Sequence, residues 1–178
     1  MLKITKLLIV LTLLISIFSC KNSKNNKANE GGIIKNNIDC LFGFNNNLNI
    51  TQGKAHSGVY FSKIDTINRF SLTFVKQIKD IYTGKVGSLK ASVWVSAKSL
   101  NFESKLVVAT TNTQGQNTSW NNLNLKEIIK APSDWVEAKL DVDINSINPE
   151  DNLAIYIWNT GKEEVYVDDF EIEFFERK

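Results

Sequence analysis

Apolar residues recur at every second position through the body of this chain, and that period admits little besides β-structure. In S-L-K-A-S-V-W-V-S-A-K, Leu89, Ala91, Val93, Val95 and Ala97 share one face, while Lys90, Ser92, Trp94, Ser96 and Lys98 share the other. Successive side chains of a strand point to opposite sides, so this is a strand with one buried face. Val136, Ala138, Leu140 and Val142 alternate in the same way with Trp135, Glu137, Lys139 and Asp141. Leu153, Ile155 and Ile157 alternate with Ala154, Tyr156 and Trp158, and Phe70, Leu72 and Phe74 with Arg69, Ser71 and Thr73. A last strand near Val165–Phe174 alternates less cleanly around Asp168-Asp169. Thr83-Gly84, Gln114-Gly115, Ala131-Pro132, Asn148-Pro149 and Asn159-Thr160-Gly161 punctuate these runs, and the last of them reads as a hairpin turn. Only Asn122–Lys130 fits a short helix or a loop equally well. Many one-faced strands without a long helical period predict an all-β, antiparallel two-sheet β-sandwich.

The first residues follow a different logic. Lys3 and Lys6 precede the apolar run Leu7–Phe18, too short to span a bilayer and suited to a signal peptide. Ile17-Phe18-Ser19-Cys20 resembles a bacterial lipobox, which implies lipidation of Cys20. The polar stretch KNSKNNKANEGG after it cannot bury a core and reads as a tether. The expected organisation is a signal peptide over 1–19, lipidated Cys20 with a tether to 36, and one domain over 37–178. Lys21 after the cysteine resembles the outer-membrane sorting pattern of Gram-negative lipoproteins. The acids that follow the cysteine in many surface-exported lipoproteins are missing, which favours the periplasmic face over the cell surface.

Charge divides along the same boundary. Residues 1–35 hold six lysines and one acid, Glu30, so the remainder of a +2 chain is net −3. No basic surface is left for nucleic acid. With Cys20 lipidated, Cys40 has no partner in the chain, and a disulfide framework is excluded. Cys40 reads as a small buried residue.

Three segments together, A-H-S-G-V-Y-F-S (55–62), D-W-V-E-A-K-L (134–140) and I-Y-I-W-N-T-G-K-E-E-V-Y-V-D-D-F-E-I (155–172), resemble the galactose-binding-like jelly rolls. That fold serves many noncatalytic carbohydrate-binding modules. The resemblance spans about 38–175, with V-Y-V-D-D-F as its most specific part. It implies that His56, the only histidine, lies in a turn where Gly58 permits a tight approach to the strand beginning at Val59. A catalytic His56 would need a nucleophile and an orienting acid, and no such motif surrounds it. The resemblance also implies a structural Ca²⁺ held by the closing pair Asp168 and Asp169, a first-strand acid and backbone carbonyls of the turn at His56. Asn45 stands where that family shows a glutamate, which predicts a weaker site, and Asp39 is the residue that could compensate.

Sugar sites use aromatic faces, because pyranose rings carry apolar C–H patches beside their hydroxyls. Trp94, Tyr156 and Trp158 lie opposite the aliphatic stripes of their strands and form a binding platform if those strands share a sheet. Arg69 would add a polar contact, and Trp120, in an Asn-rich stretch, is the candidate from a loop. The alternative reading makes these rings a second small core under a cover. Trp135 reads as packing. Glu163-Glu164 and Glu171/Glu173 show no spacing that argues for a glycosidase. The chain therefore reads as a noncatalytic, lipid-anchored envelope protein binding a glycan or polysaccharide. The competing reading is a structural or protein-interaction sandwich of an envelope assembly.

Overall fold

The computed structural model describes residues 49–81 and 86–176, and the backbone of 33–36. The signal segment, Cys20, Asp39, Cys40, Asn45 and the Thr83-Gly84 turn lie outside the described residues. Two antiparallel sheets face each other, as the alternation predicts. One contains β1 (Ile33–Asn36), β2 (Ile50–Gln52), β3 (Tyr60–Ile64), β5 (Val86–Ala97), β8 (Val136–Asp143) and β10 (Val165–Glu176). The other runs β4 (Phe74–Gln77), β9 (Asn152–Asn159), β6 (Ser104–Thr111), β7 (Asn117–Asn124). A four-residue helix, Ile78–Ile81, follows β4, and a short 3₁₀ turn, Leu125–Glu127, resolves the ambiguous stretch after β7.

The aliphatic stripes meet between the sheets. Leu89, Ala91, Val93 and Val95 of β5 face Leu106 and Val108 of β6 and Leu153, Ile155 and Ile157 of β9 in one buried cluster. Phe102, on the connection from β5 to β6, is fully buried in it. β1 pairs with β10 from Ile33↔Glu173 to Asn36↔Phe170, so the sheet begins four residues before the expected boundary at 37.

Three expectations need correction. Asn159-Thr160-Gly161 is not a hairpin turn, because β9 and β10 belong to different sheets. The connection crosses the sandwich, anchored by the Thr160 and Gly161 amides donating to the Glu103 carbonyl at 2.8 and 3.0 Å. A Cβ on Gly161 would lie 2.8 Å from the Glu103 nitrogen, so only glycine allows this approach. The expected strand at Phe70–Phe74 starts regular pairing only at Phe74. Before it, the chain spans both sheets: Ser71 exchanges bonds with Ile157 of β9, while the Leu72 amide donates to Ser62 Oγ of β3. Alternation breaks there, so Phe70 turns outward while Leu72 is buried. Finally, Trp120 sits in strand β7 rather than in a loop.

Irregular alternation in β10 has a single cause. The register against β5 shifts between Asp168 and Phe170, and Asp169 takes a positive φ of 44°. This bulge inserts one residue, so Val165 and Val167 before it and Phe170, Ile172 and Phe174 after it all reach the core.

Candidate functional site

The predicted platform separates into two places. Trp94 is on β5 of the six-stranded sheet, whereas Tyr156 and Trp158 are on β9 of the four-stranded one. The rings therefore cannot form one surface.

Around Trp94 the reading as a covered second core holds. One edge of β10 pairs with β3 over 165–167 and with β1 over 170–173, leaving Asp168 and Asp169 without a ladder partner on that edge. The turn at 56–58 fills the gap. The Ser57 amide donates to Asp168 Oδ2 at 3.0 Å, and Ser57 Oγ to Asp169 Oδ1 at 2.8 Å. His56 Nδ1 lies 2.6 Å from Asp169 Oδ2, and its ring stacks on Trp94 with centroids 3.7 Å apart. Gly58, at φ 63°, closes the turn. Trp135 and Phe61 extend the cluster edge-on, so Trp135 is packing. Ser92 and Ser96, on the outer side of β5, are buried as well. His56 is thus a turn residue whose side chain, and not only its backbone, ties the turn down. His56→Ala removes the stack and the hydrogen bond to Asp169 and should destabilise the domain by about 1–2 kcal/mol; a chemical-denaturation midpoint reads it, and an unchanged midpoint would show the imidazole to be idle.

Asp168 is fully buried, and that burial pushes its carboxyl up to about 6 despite the amide bonds that favour its charge. No lysine or arginine among the described residues pairs with it. Two adjacent hard-oxygen carboxylates with no strong cation suit Ca²⁺ in charge and donor type. Any cation there shares Asp169 Oδ2 with the imidazole. Among the described residues no group of three or more His, Cys, Asp or Glu side chains converges as a metal site.

The second place is the outer face of the four-stranded sheet. Register sets three rows across β9, β6 and β7: Ala154–Ala109–Trp120, Tyr156–Val107–Asn122 and Trp158–Lys105–Asn124. Phe70 joins the last row through an isolated bridge to Trp158. The Phe70 and Trp158 rings are nearly parallel, 12° apart with centroids at 6.3 Å, and Phe70 meets Tyr156 edge-on at 5.6 Å. Two strands away, roughly 10 Å by the ordinary strand spacing, Trp120 remains 42% exposed with Lys105 Nζ 5.6 Å from its ring centroid. Val107 and Ala109 point outward yet are buried, so the side chains around them close over them. Arg69 precedes Phe70 in an irregular stretch: its carbonyl accepts from the Asn159 amide at 2.8 Å, its Nε reaches the Thr66 carbonyl at 3.5 Å, and it makes no ring contact among the described residues.

The expected set thus keeps Tyr156, Trp158 and Trp120, loses Trp94 and Arg69, and gains Phe70 and Lys105. Two of the acids weighed as catalytic, Glu164 and Glu173, are engaged in ion pairs. Glu164 pairs with Lys63 and Lys98 at 3.3 Å each, and Glu173 pairs with Lys90. Glu164 also accepts the Tyr166 hydroxyl at 3.0 Å, which lowers its own pKa; burial first, then this carboxylate, pushes Tyr166 up to about 12. A separate cleft of about 530 Å³ opens between the 112–118 hairpin and the 143–151 loop. It is lined by hydroxyls, amides, Asp143 and Asp151, and carries no aromatic ring.

No protein-family model and no curated protein matches the chain. Solved structures of similar shape do exist. The tandem CBM22-1–CBM22-2 domain of Paenibacillus barcinonensis Xyn10C matches 86% of this chain and 48% of its own at TM-score 0.56 and 14% identity. The CBM22-1 xylan-binding domain of the same protein matches 83% of this chain and 85% of its own at 0.49 and 15%. The CBM22-1–GH10 modules of Clostridium thermocellum endo-1,4-β-D-xylanase 10B, complexed with xylohexaose, match 83% of this chain at 0.49 and 16%. This chain spans 27% of that xylanase chain. The fold is the jelly-roll β-sandwich of carbohydrate-binding modules.

Proposed function

We propose that this protein is a noncatalytic glycan-binding module held at the outer membrane by lipid on Cys20, with the periplasmic face as its side. The observation that carries the reading is the ring-walled outer face of the four-stranded sheet. Phe70, Tyr156 and Trp158 on one side and Trp120 on the other flank the buried pair Val107 and Ala109. Sugar C–H patches lie against such rings, and the Asn122 and Asn124 amides beside them supply hydrogen-bond partners for hydroxyls. Rings gathered on one face, Phe70 and Trp120 exposed and Tyr156 and Trp158 half-buried, suit a binding surface. The fold supports the reading at the level of architecture and leaves the ligand to the face.

A polysaccharide and glycan array probed with the full-length protein in detergent tests it. Binding that survives competition with detergent-solubilised lipid supports the module. A blank array from a protein with a cooperative melting transition moves the assignment to a protein-interaction role, to be pursued by cross-linking in envelopes.

Calcium belongs to the same proposal as a structural ion at the Asp168–Asp169 junction. Addition of 1 mM Ca²⁺ to chelator-treated protein should raise the melting temperature by several degrees, as any ligand bound only by the folded state does. Asp169→Asn should remove most of that rise. An identical melting curve in calcium and in chelator would show that the His56–Ser57 turn closes the junction without metal.

A further inference from the structure

We infer that the ring-walled face takes an acidic polysaccharide, one bearing carboxylate or sulfate groups, and that Lys105 is the residue selecting it; this rests on the glycan reading above. Lys105 lies mid-face, directly opposite Trp158 on β9 and Asn124 on β7. Its ammonium is held over the Trp120 ring, and its side chain is half-buried. Among the described residues no carboxylate stands within ion-pair distance of it. Lys63, Lys90 and Lys139, on strands of the other sheet, are each paired: Lys63 with Asp65 and Glu164, Lys90 with Glu173, and Lys139 with Glu137. The remaining outward positions of β9, β6 and β7 in these rows are Ala, Val, Tyr, Trp and Asn, all uncharged. The nearest acid along the strand, Glu103, precedes β6 and makes no ion pair with Lys105; its carbonyl is spent on the crossover from β9.

An ammonium held over a ring without a carboxylate partner, on a domain whose net charge is negative, is a standing attraction for an anion. The geometry is also specific. A sugar ring laid on Trp158 or Trp120 brings a ring substituent beside Nζ, while the neighbouring asparagines meet its hydroxyls. Neutral chains would gain the stacking and leave the ammonium without a partner. Acidic chains gain both.

The test uses the full-length protein in detergent and four probes: polygalacturonate, the same polymer carboxyl-reduced to neutral, a sulfated galactan, and its desulfated form. Affinities are measured at 50 and 300 mM NaCl. An acidic probe should bind roughly tenfold or more tightly than its neutral counterpart, the scale of one hydrogen bond to a charged group. Added salt should narrow the gap. Lys105→Gln should bring the ratio of acidic to neutral affinity to about one, while Lys105→Arg keeps it. Preference for polygalacturonate identifies the carboxylate and preference for the sulfated galactan the sulfate. Equal binding of acidic and neutral probes, or a Lys105→Gln loss shared by both, overturns the inference and leaves glycan binding intact. Failure of a folded protein to bind any probe removes the glycan reading itself, and this inference with it.

Discussion

Trp158→Ala should weaken glycan binding by roughly thirtyfold or more, the cost of truncating a central aromatic anchor, while the domain stays folded. Trp158 stands at the meeting point of the face. It stacks near-parallel with Phe70, follows Tyr156 by one alternation on β9, and lies opposite Lys105 on β6. Removing it takes away a wall and loosens Phe70 at once. The side chain belongs to the outer row, outside the cluster that joins the two sheets, so its loss leaves that cluster complete. Calorimetric titration of the glycan and a circular-dichroism melt separate the two effects. A folded variant with wild-type affinity would exclude this face. Trp94→Ala is the informative companion, because it strips the stack from under His56 on the opposite sheet. It should lower stability and leave the affinity of the folded fraction unchanged.

Phe102→Ala should do the reverse, costing about 3–5 kcal/mol of stability, which is much of what a domain of this size possesses. Phe102 is on a connection, where a large apolar residue is easily dismissed, yet it is fully buried in the central cluster. The connection carries the chain from the six-stranded to the four-stranded sheet. The next residue, Glu103, receives the crossover amides of Thr160 and Gly161. The ring therefore fills the space where two crossings between the sheets meet, and a void there has no flexible loop to collapse into it. Phe70→Ala is the control of the same chemistry. Phe70 is 46% exposed, so its loss should cost about 1 kcal/mol or less in stability and fall on binding instead. Urea unfolding of both variants decides the matter; equal destabilisation by the two would refute the division between core and face.

How far these residues could be read from the chain follows from what alternation encodes. Period two states which face a side chain occupies and is silent on which sheet its strand joins. Leu89 to Ala97 and Leu153 to Ile157 were therefore legible as buried stripes, but Trp94 and Trp158 looked like neighbours when they stand on opposite outer surfaces. The crossover at Asn159-Gly161 was read as a hairpin for the same reason, since a Gly-containing turn between two strong strands carries no mark of the sheet it leads to. Trp120 was hidden by its asparagines, which have little intrinsic preference for strands. Pairing with β6 imposes the strand, and the alternation of Trp120, Asn122 and Asn124 against Ser119, Asn121 and Leu123 was its available trace. Phe70 was misassigned because Ser71 and Leu72 bond to different sheets, a tertiary event without a local signature. The turn at His56–Gly58 does lie beside Asp168-Asp169, but the bonds that join them come from the Ser57 amide and hydroxyl and the His56 ring, which the resemblance did not specify.

The pairing of β1 with β10 has a mechanical consequence. Ile33 through Asn36 are joined to the domain by four residue pairs on one edge of the closing strand. A chain anchored upstream and pulled by a captured polymer loads those four pairs before any other part of the sandwich. With the tether and the glycan face as proposed, leash and cargo would attach to opposite walls, and the line of tension would run through the thickness of the core. Under such strain β1 is the segment to peel first, a short fuse whose release lengthens the leash while the gripping wall keeps its shape.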